Sequence, residues 1–271
     1  MKCIRGKKKR WLLFAIPIFL LFFYCLQTVW AHRKKEFVPD YLPIELKEES
    51  DYETFFLQTG LGVAAVDELL AQNNFEKIRE IQTAFFSEDQ VECVPVFGWF
   101  TMSDRIDKGE SASMVDLRAG DIILSLATHS VGWRHGHVGL VLDEERILEC
   151  TTIGKDSAIV KKSQWQTYSS YAILRVKNAS ADTCEKVVKY ATENLCGIPY
   201  HLSAGIIGEK APECDNSAFG MQCAYLVWYA WQHFGYDLDS DGGKLVTAND
   251  ILRSERLEVV QIYGMDPREF D

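Results

Sequence analysis

From residue 120 onward the apolar positions fall in short runs rich in Ile, Val and Leu, separated by polar turns. They predict strands at Asp121–Ala127, Gly136–Leu142, Arg146–Thr151, Tyr171–Lys177 and Leu257–Tyr263. Two stretches repeat at helical spacing instead. Over 181–196, Cys184, Val187, Val188, Ala191 and Leu195 share one face, Ser180 can cap the start and Gly197 closes the end. From Cys223, residues Leu226, Val227, Ala230, Trp231 and Phe234 form one buried face of a second helix. Earlier in the chain, Val66, Leu69 and Leu70, then Phe75, Ile78, Ile81 and Phe85, predict two amphipathic helices broken near Asn73-Asn74. Residues 103–120 read as a polar loop, and the prolines and acidic residues of 36–50 read as a stalk.

The N-terminal pattern is different in kind. Residues Trp11 to Trp30 carry no charge, and as a helix such a segment spans about 30 Å, the thickness of a bilayer core. Six basic residues precede it and three follow, which orients the N-terminus to the cytoplasm and exports the rest. The rival reading is a cleaved signal peptide ending near Val29-Trp30-Ala31. The expected organisation is a basic tail (1–10), a transmembrane anchor (11–30), a stalk (31–50), a helical subdomain (51–110) and an exported α+β domain (111–271).

Charge narrows the choice of partner. Nine of the 29 basic residues and none of the 39 acidic ones lie in 1–35, leaving 20 basic against 39 acidic, a net of −19 on 36–271. Such a field repels phosphate backbones and argues against nucleic acid. The eight cysteines show no Cys-x-x-Cys spacing and no His-x-x-x-His pair accompanies them, so no structural metal or organic cofactor is called for.

Cys223 is the first candidate for chemistry, because a helix N-terminus is where a thiolate forms most easily. The segment after Asn216–Gly220 delivers it there. His137, opening an apolar strand in Arg134-His135-Gly136-His137-Val138-Gly139, is the matching base, with His135 two residues away as its rival. A hairpin turn centred on Asp143 sets Glu149 directly across from His137, where a carboxylate could orient the imidazole; a one-residue slip would put Leu148 or Cys150 there instead. Asp237-Leu238-Asp239-Ser240-Asp241-Gly242 opens like a calcium loop, but its twelfth position is Ala248, and an acidic turn followed by a helix capped by Thr247 and Asp250 accounts for it better.

The order His strand, Glu strand, Cys helix is that of papain reversed. From Leu117 to about Ser254 the chain resembles the circularly permuted papain-like hydrolases, the YiiX-type relatives of NlpC cell-wall peptidases and lecithin–retinol acyltransferase. The resemblance rests on Arg118-Ala119-Gly120-Asp121-Ile122-Ile123, Gly136-His137-Val138-Gly139, Ile147-Leu148-Glu149, Gly197-Ile198-Pro199-Tyr200, Gln222–Tyr229 and Asp237–Thr247. It implies a permuted papain-like α+β fold with a small antiparallel β-barrel packed on the Cys-bearing helix. It also implies Cys223 as nucleophile, His137 as base, Glu149 as third member and Tyr200 as an oxyanion donor. Ala224 departs from a frequent Ser, and the 51–90 segment has no counterpart in the minimal fold.

The expected activity is hydrolysis of amide or ester bonds through an acyl-thioenzyme. Cell-wall peptides are the first substrate expected for an exported, membrane-tethered domain, and lipid amides or esters the second, with acyl transfer as a variant. The alternatives of another class are a binding module that lost catalysis and a structural surface protein.

Overall fold

The computed structural model describes residues 15–22, 35–98, 100–107, 112–130, 133–206, 209–211 and 220–270. Residues 15–22 are helical (α1). Three helices follow in the segment read as helical: α2 (Tyr52–Thr59), α3 (Val63–Ala71) and α4 (Phe75–Phe86). Asp51 caps α2 by accepting from Thr54 N at 2.7 Å, and Gly60 ends it in the left-handed region at φ 72°. The expected break between α3 and α4 falls at Asn73, also left-handed, with Asn74 capping α4.

Strands then alternate with few helices: β1 (Val91–Phe97), β2 (Thr101–Ile106), β3 (Ile122–Ser125), β4 (Thr128–Ser130), β5 (Trp133–Arg134), β6 (His137–Val141), β7 (Arg146–Glu149), β8 (Ala158–Lys161), the short α5 (Lys162–Trp165) and β9 (Tyr171–Val176). The chain ends with α6 (Ala181–Asn194), α7 (Cys223–Gln232), α8 (Ala248–Leu252), β10 (Leu257–Tyr263) and a 3-10 turn at Pro267–Glu269. Ser180 caps α6, and Thr247 with Asp250 forms a capping box on α8, as the sequence predicts.

Two antiparallel sheets result, one of six strands in the order β10-β9-β3-β6-β7-β8 and one of four in the order β1-β2-β4-β5. Successive residues of a strand point to opposite faces, and the larger sheet is covered on both. Ile122, Leu124, Val138, Leu140 and Leu148 pack in the core built with α6, α7 and α8. Ile123, Val141, Ile147 and Ile173 pack in a second core with α2, α3 and α4. Double burial explains why these strands read as continuous apolar runs rather than alternating ones.

Three expectations are corrected. The larger sheet is open, with β8 and β10 at its edges, so the antiparallel strands do not close into a barrel. The single-pass membrane anchor is not supported, because no helix among the described residues is long and apolar enough to cross a membrane. Of the proposed anchor only 15–22 is described, and those residues are helical. The rest of that span, the basic tail at 1–10 and the stretch at 216–219 lie outside the described residues. Finally, 91–106, read as helical subdomain and loop, forms strands β1 and β2.

Candidate active site

The local chain fixes the position of Cys223 before any chemistry enters. Gln222 is the N-cap of α7: its Oε1 accepts from Ala224 N at 3.1 Å and lies 3.6 Å from Cys223 Sγ, while its Nε2 donates to Val246 O. Just upstream, Met221 N donates to Pro199 O at 3.0 Å and His201 N donates to Met221 O at 2.8 Å, which holds Tyr200 beside the start of the helix. Cys223 therefore occupies the first turn of a ten-residue helix, with the positive end of the backbone dipole behind its sulfur.

His137 begins β6 and Glu149 ends β7, and His137 Nε2 and Glu149 Oε2 are 3.0 Å apart. The register that brings them together is not the one predicted. Leu142 N donates to Arg146 O, so the turn is centred on Glu144, and Glu149 faces Gly139 rather than His137. A slip of two residues keeps every side chain on its face, and Gly139, with no side chain, lets the carboxylate reach diagonally to the imidazole. A β-carbon at 139 would lie 2.5 Å from Ile147 Cγ2 and 3.0 Å from Trp165 Cζ2. Trp165 lies flat against the His137 ring at 5.1 Å and 12°.

Cys223 lines the same cleft as this imidazole, and its thiol is among the groups that raise the His137 pKa. With Nε2 taken by Glu149, Nδ1 is the ring nitrogen left to face a thiol. Burial alone would pull the His137 pKa down, but the acidic groups around it, Tyr168 first and then Glu149, together with the hydrogen bonds to Cys223 and Glu149, hold it well above the ordinary imidazole value of 6.5. Tyr200 is half-buried, and burial followed by the nearby Cys223 and Cys150 raises its phenol, keeping it a neutral donor. Cys150 is buried, donates to Met221 O at 3.4 Å, and is pushed up to about 12 by burial and by Cys223. It behaves as a core thiol. The rival base His135 also lines the cleft, with its Nε2 3.0 Å from Ser130 Oγ and its Nδ1 3.0 Å from Gly136 O.

These groups open on a cleft of about 250 Å³, lined by Cys223, His137, Glu149 and Tyr200 on one side and by the smaller sheet on the other. Among the lining residues that escaped the sequence reading are Ser103, Arg105, Thr128 and Lys155. Ser103 and Thr128 are cross-strand partners on β2 and β4. Both hydroxyls are buried and bond no protein group among the described residues. Arg105 lies 3.3 Å over the Tyr168 ring and donates to Gln164 O and Thr167 Oγ1. No sequence signal marks these residues, because β2 and β4 carry no hydrophobic pattern and Lys155 lies in a loop.

The remaining candidates have ordinary roles. Asp237 accepts from Trp228 Nε1 at 2.8 Å and Asp241 accepts from Gly243 N at 2.6 Å, so this acidic run shapes its own turns. Cys93, Cys150, Cys184, Cys196 and Cys223 are free thiols; Cys214 lies outside the described residues.

No family model matches the chain, and no curated protein matches it. Among solved structures it is similar to the crystal structure of the metalloprotein YiiX from Escherichia coli O157:H7 (DUF1105), with a TM-score of 0.39 and 17% identity over 54% of this chain and 97% of that one. At that level the likeness extends no further than a YiiX-type arrangement of part of the chain, and it carries neither an activity nor a metal over.

Proposed function

We propose that this chain is a cysteine hydrolase of the circularly permuted papain-like type, cleaving amide or ester bonds through an acyl-thioenzyme. The observation that supports this reading is a buried imidazole bound to a carboxylate and lining one cleft with a thiol at a helix N-terminus. His137 takes the Cys223 proton, and the thiolate attacks the carbonyl carbon to form a C–S bond. The oxyanion is met by the Tyr200 hydroxyl and the amides at the start of α7. His137 then protonates the leaving amine or alcohol as its bond breaks. In the second half, His137 takes a proton from water, the hydroxide attacks the thioester, and the carboxylic acid leaves with the thiol restored. Glu149 stabilises the imidazolium throughout.

The substrate proposed is a peptide amide or a lipid-derived amide or ester with an acidic group, because Arg105 and Lys155 place positive charge on the cleft wall. The test is the rate of iodoacetamide labelling at Cys223 against pH in the full chain, read by peptide mapping and repeated in His137→Ala. Fast labelling with a midpoint well below about 8.5, lost or shifted upward in His137→Ala, supports the pair and justifies a screen of peptide and lipid amides. Slow labelling indifferent to His137 overturns it.

A further inference from the structure

A second cluster of reactive side chains lies on the four-stranded sheet, on the face turned away from the cleft. Strand alternation separates the two faces: Val94, Ser103 and Thr128 look into the cleft, and their neighbours Cys93, Asp104 and His129 look the other way. Cys93 and Asp104 are direct partners across β1 and β2, and His129 comes from β4. His129 Nε2 lies 3.2 Å from Asp104 Oδ1 and 3.8 Å from Cys93 Sγ.

The arrangement differs from that at His137 in one decisive respect. A base that relays a proton uses its two nitrogens for two partners, and at His137 the carboxylate takes Nε2 and leaves Nδ1 for the thiol. Here the thiol and the carboxylate both address Nε2, and one donor atom from each of the three residues lies within 4.8 Å of the others. Three donor atoms converging on one point is the geometry of a coordination site. Zinc bonds of about 2.0–2.3 Å to N, O and S give tetrahedral edges of roughly 3.3–3.6 Å, close to the separations of His129 Nε2 from Asp104 Oδ1 and from Cys93 Sγ.

The surroundings fit as well. Asp104 and His129 are 2% and 4% exposed, whereas Cys93 is half-buried, so ligands are held rigidly on one side and water can reach the other. Arg134 Nη2 holds the second Asp104 oxygen at 2.8 Å, leaving Oδ1 as a single, oriented donor, an outer contact of the kind that fixes metal ligands. A sulfur, nitrogen and oxygen set suits a borderline-soft ion such as zinc rather than calcium or magnesium.

We propose that Cys93, Asp104 and His129 form a zinc site, with water completing the coordination, that ties β1, β2 and β4 into the wall of the cleft. Binding forms the Zn–S, Zn–N and Zn–O bonds and releases the Cys93 thiol proton to solvent. The site shares no residue with the Cys223 chemistry and stands or falls independently of it.

The test uses the full chain, stripped by a chelator and titrated with Co²⁺ as a spectroscopic stand-in for zinc. One equivalent should bind and give a thiolate-to-cobalt charge-transfer absorption in the near ultraviolet. Cys93→Ser should abolish that absorption and Cys223→Ser should keep it. Absence of the absorption, its persistence in Cys93→Ser, or its loss in Cys223→Ser with retention in Cys93→Ser overturns the proposal. A second measurement needs no substitution: Zn²⁺ should slow alkylation of Cys93 while leaving the exposed Cys196 unchanged. Equal labelling of Cys93 with and without Zn²⁺ also overturns it.

Discussion

At the scale of single residues, the neighbours of the His137 imidazole raise its pKa, and this gives a pH signature. Because its folded pKa is raised above the ordinary value, the contact with Glu149 stabilises the fold fully below about 6.5 and loses that contribution as pH rises through the folded value. Glu149→Gln keeps a hydrogen-bonding group but removes the charge. Losing an adjacent anion lowers a pKa by about 1–3 units, so the alkaline limb of turnover should move to lower pH by that amount. A limb that stays in place would show that Glu149 does not set the His137 charge. Ser103 and Thr128 make the opposite bargain between folding and binding. Their hydroxyls are buried without a protein partner among the described residues, a cost to stability that a substrate polar group in the cleft can offset. Ser103→Ala and Thr128→Val should therefore raise Tm slightly while raising KM roughly 2–10-fold, the worth of one hydrogen bond, with kcat little changed. A KM unchanged in both variants would remove them from substrate binding.

At the scale of elements, the segment Arg118–Ile123 is a clamp. Asp121, 1% exposed, takes both prongs of Arg175 at 2.8 Å and accepts from Arg118 N at 3.0 Å, which fastens the entry of β3 to β9. Removing one partner of such a pair strands the other, so Asp121→Ala should cost about 3 kcal/mol in urea unfolding; a cost below about 1 kcal/mol would mean that the guanidinium finds water instead. The elements also show what the sequence made legible. Strands β3, β6, β7, β9 and β10 were visible because both of their faces are buried and apolar. Helices α6 and α7 were visible from their caps and spacing. Strands β1, β2 and β4 were not: one face lines a polar cleft and the other carries Cys93, Asp104 and His129, so Glu92, Asp104 and Arg105 leave no alternation to read. The His137–Glu149 contact was reached through a register two residues off, since a period of two cannot distinguish such slips. The barrel was implied by the family resemblance, not by the strand pattern, which does not encode the edge pairing that closure depends on.

At the scale of the whole molecule, the central sheet binds two helical layers, and the layer formed by α2, α3 and α4 is joined to it by backbone. Gly62 N donates to Val260 O at 2.9 Å and Ile262 N donates to Gly60 O at 2.8 Å, so the α2–α3 turn extends the edge at β10. The approach is close enough that a β-carbon at Gly62 would sit 1.8 Å from Val259 O, a backbone atom that cannot swing aside. Phe55, Val66, Ile78 and Ile81 fill the core beneath, against Ile123 and Ile173 of the sheet. Since each buried aliphatic or aromatic side chain contributes about 1.5–3 kcal/mol, undocking this layer would leave one face of the sheet exposed at a cost comparable to the whole stability of a domain. The helices and the sheet should therefore open together. Native-state amide exchange should give the same opening free energy for residues of α4 as for β3 and β6, and Gly62→Ala should lower both in parallel by at least about 2 kcal/mol. Protection that persists in β3 and β6 while α4 exchanges freely would mean that the sheet is stable alone and the helical layer is an appendage. Parallel loss would mean that residues 52–86 belong to the core that positions His137 and Glu149.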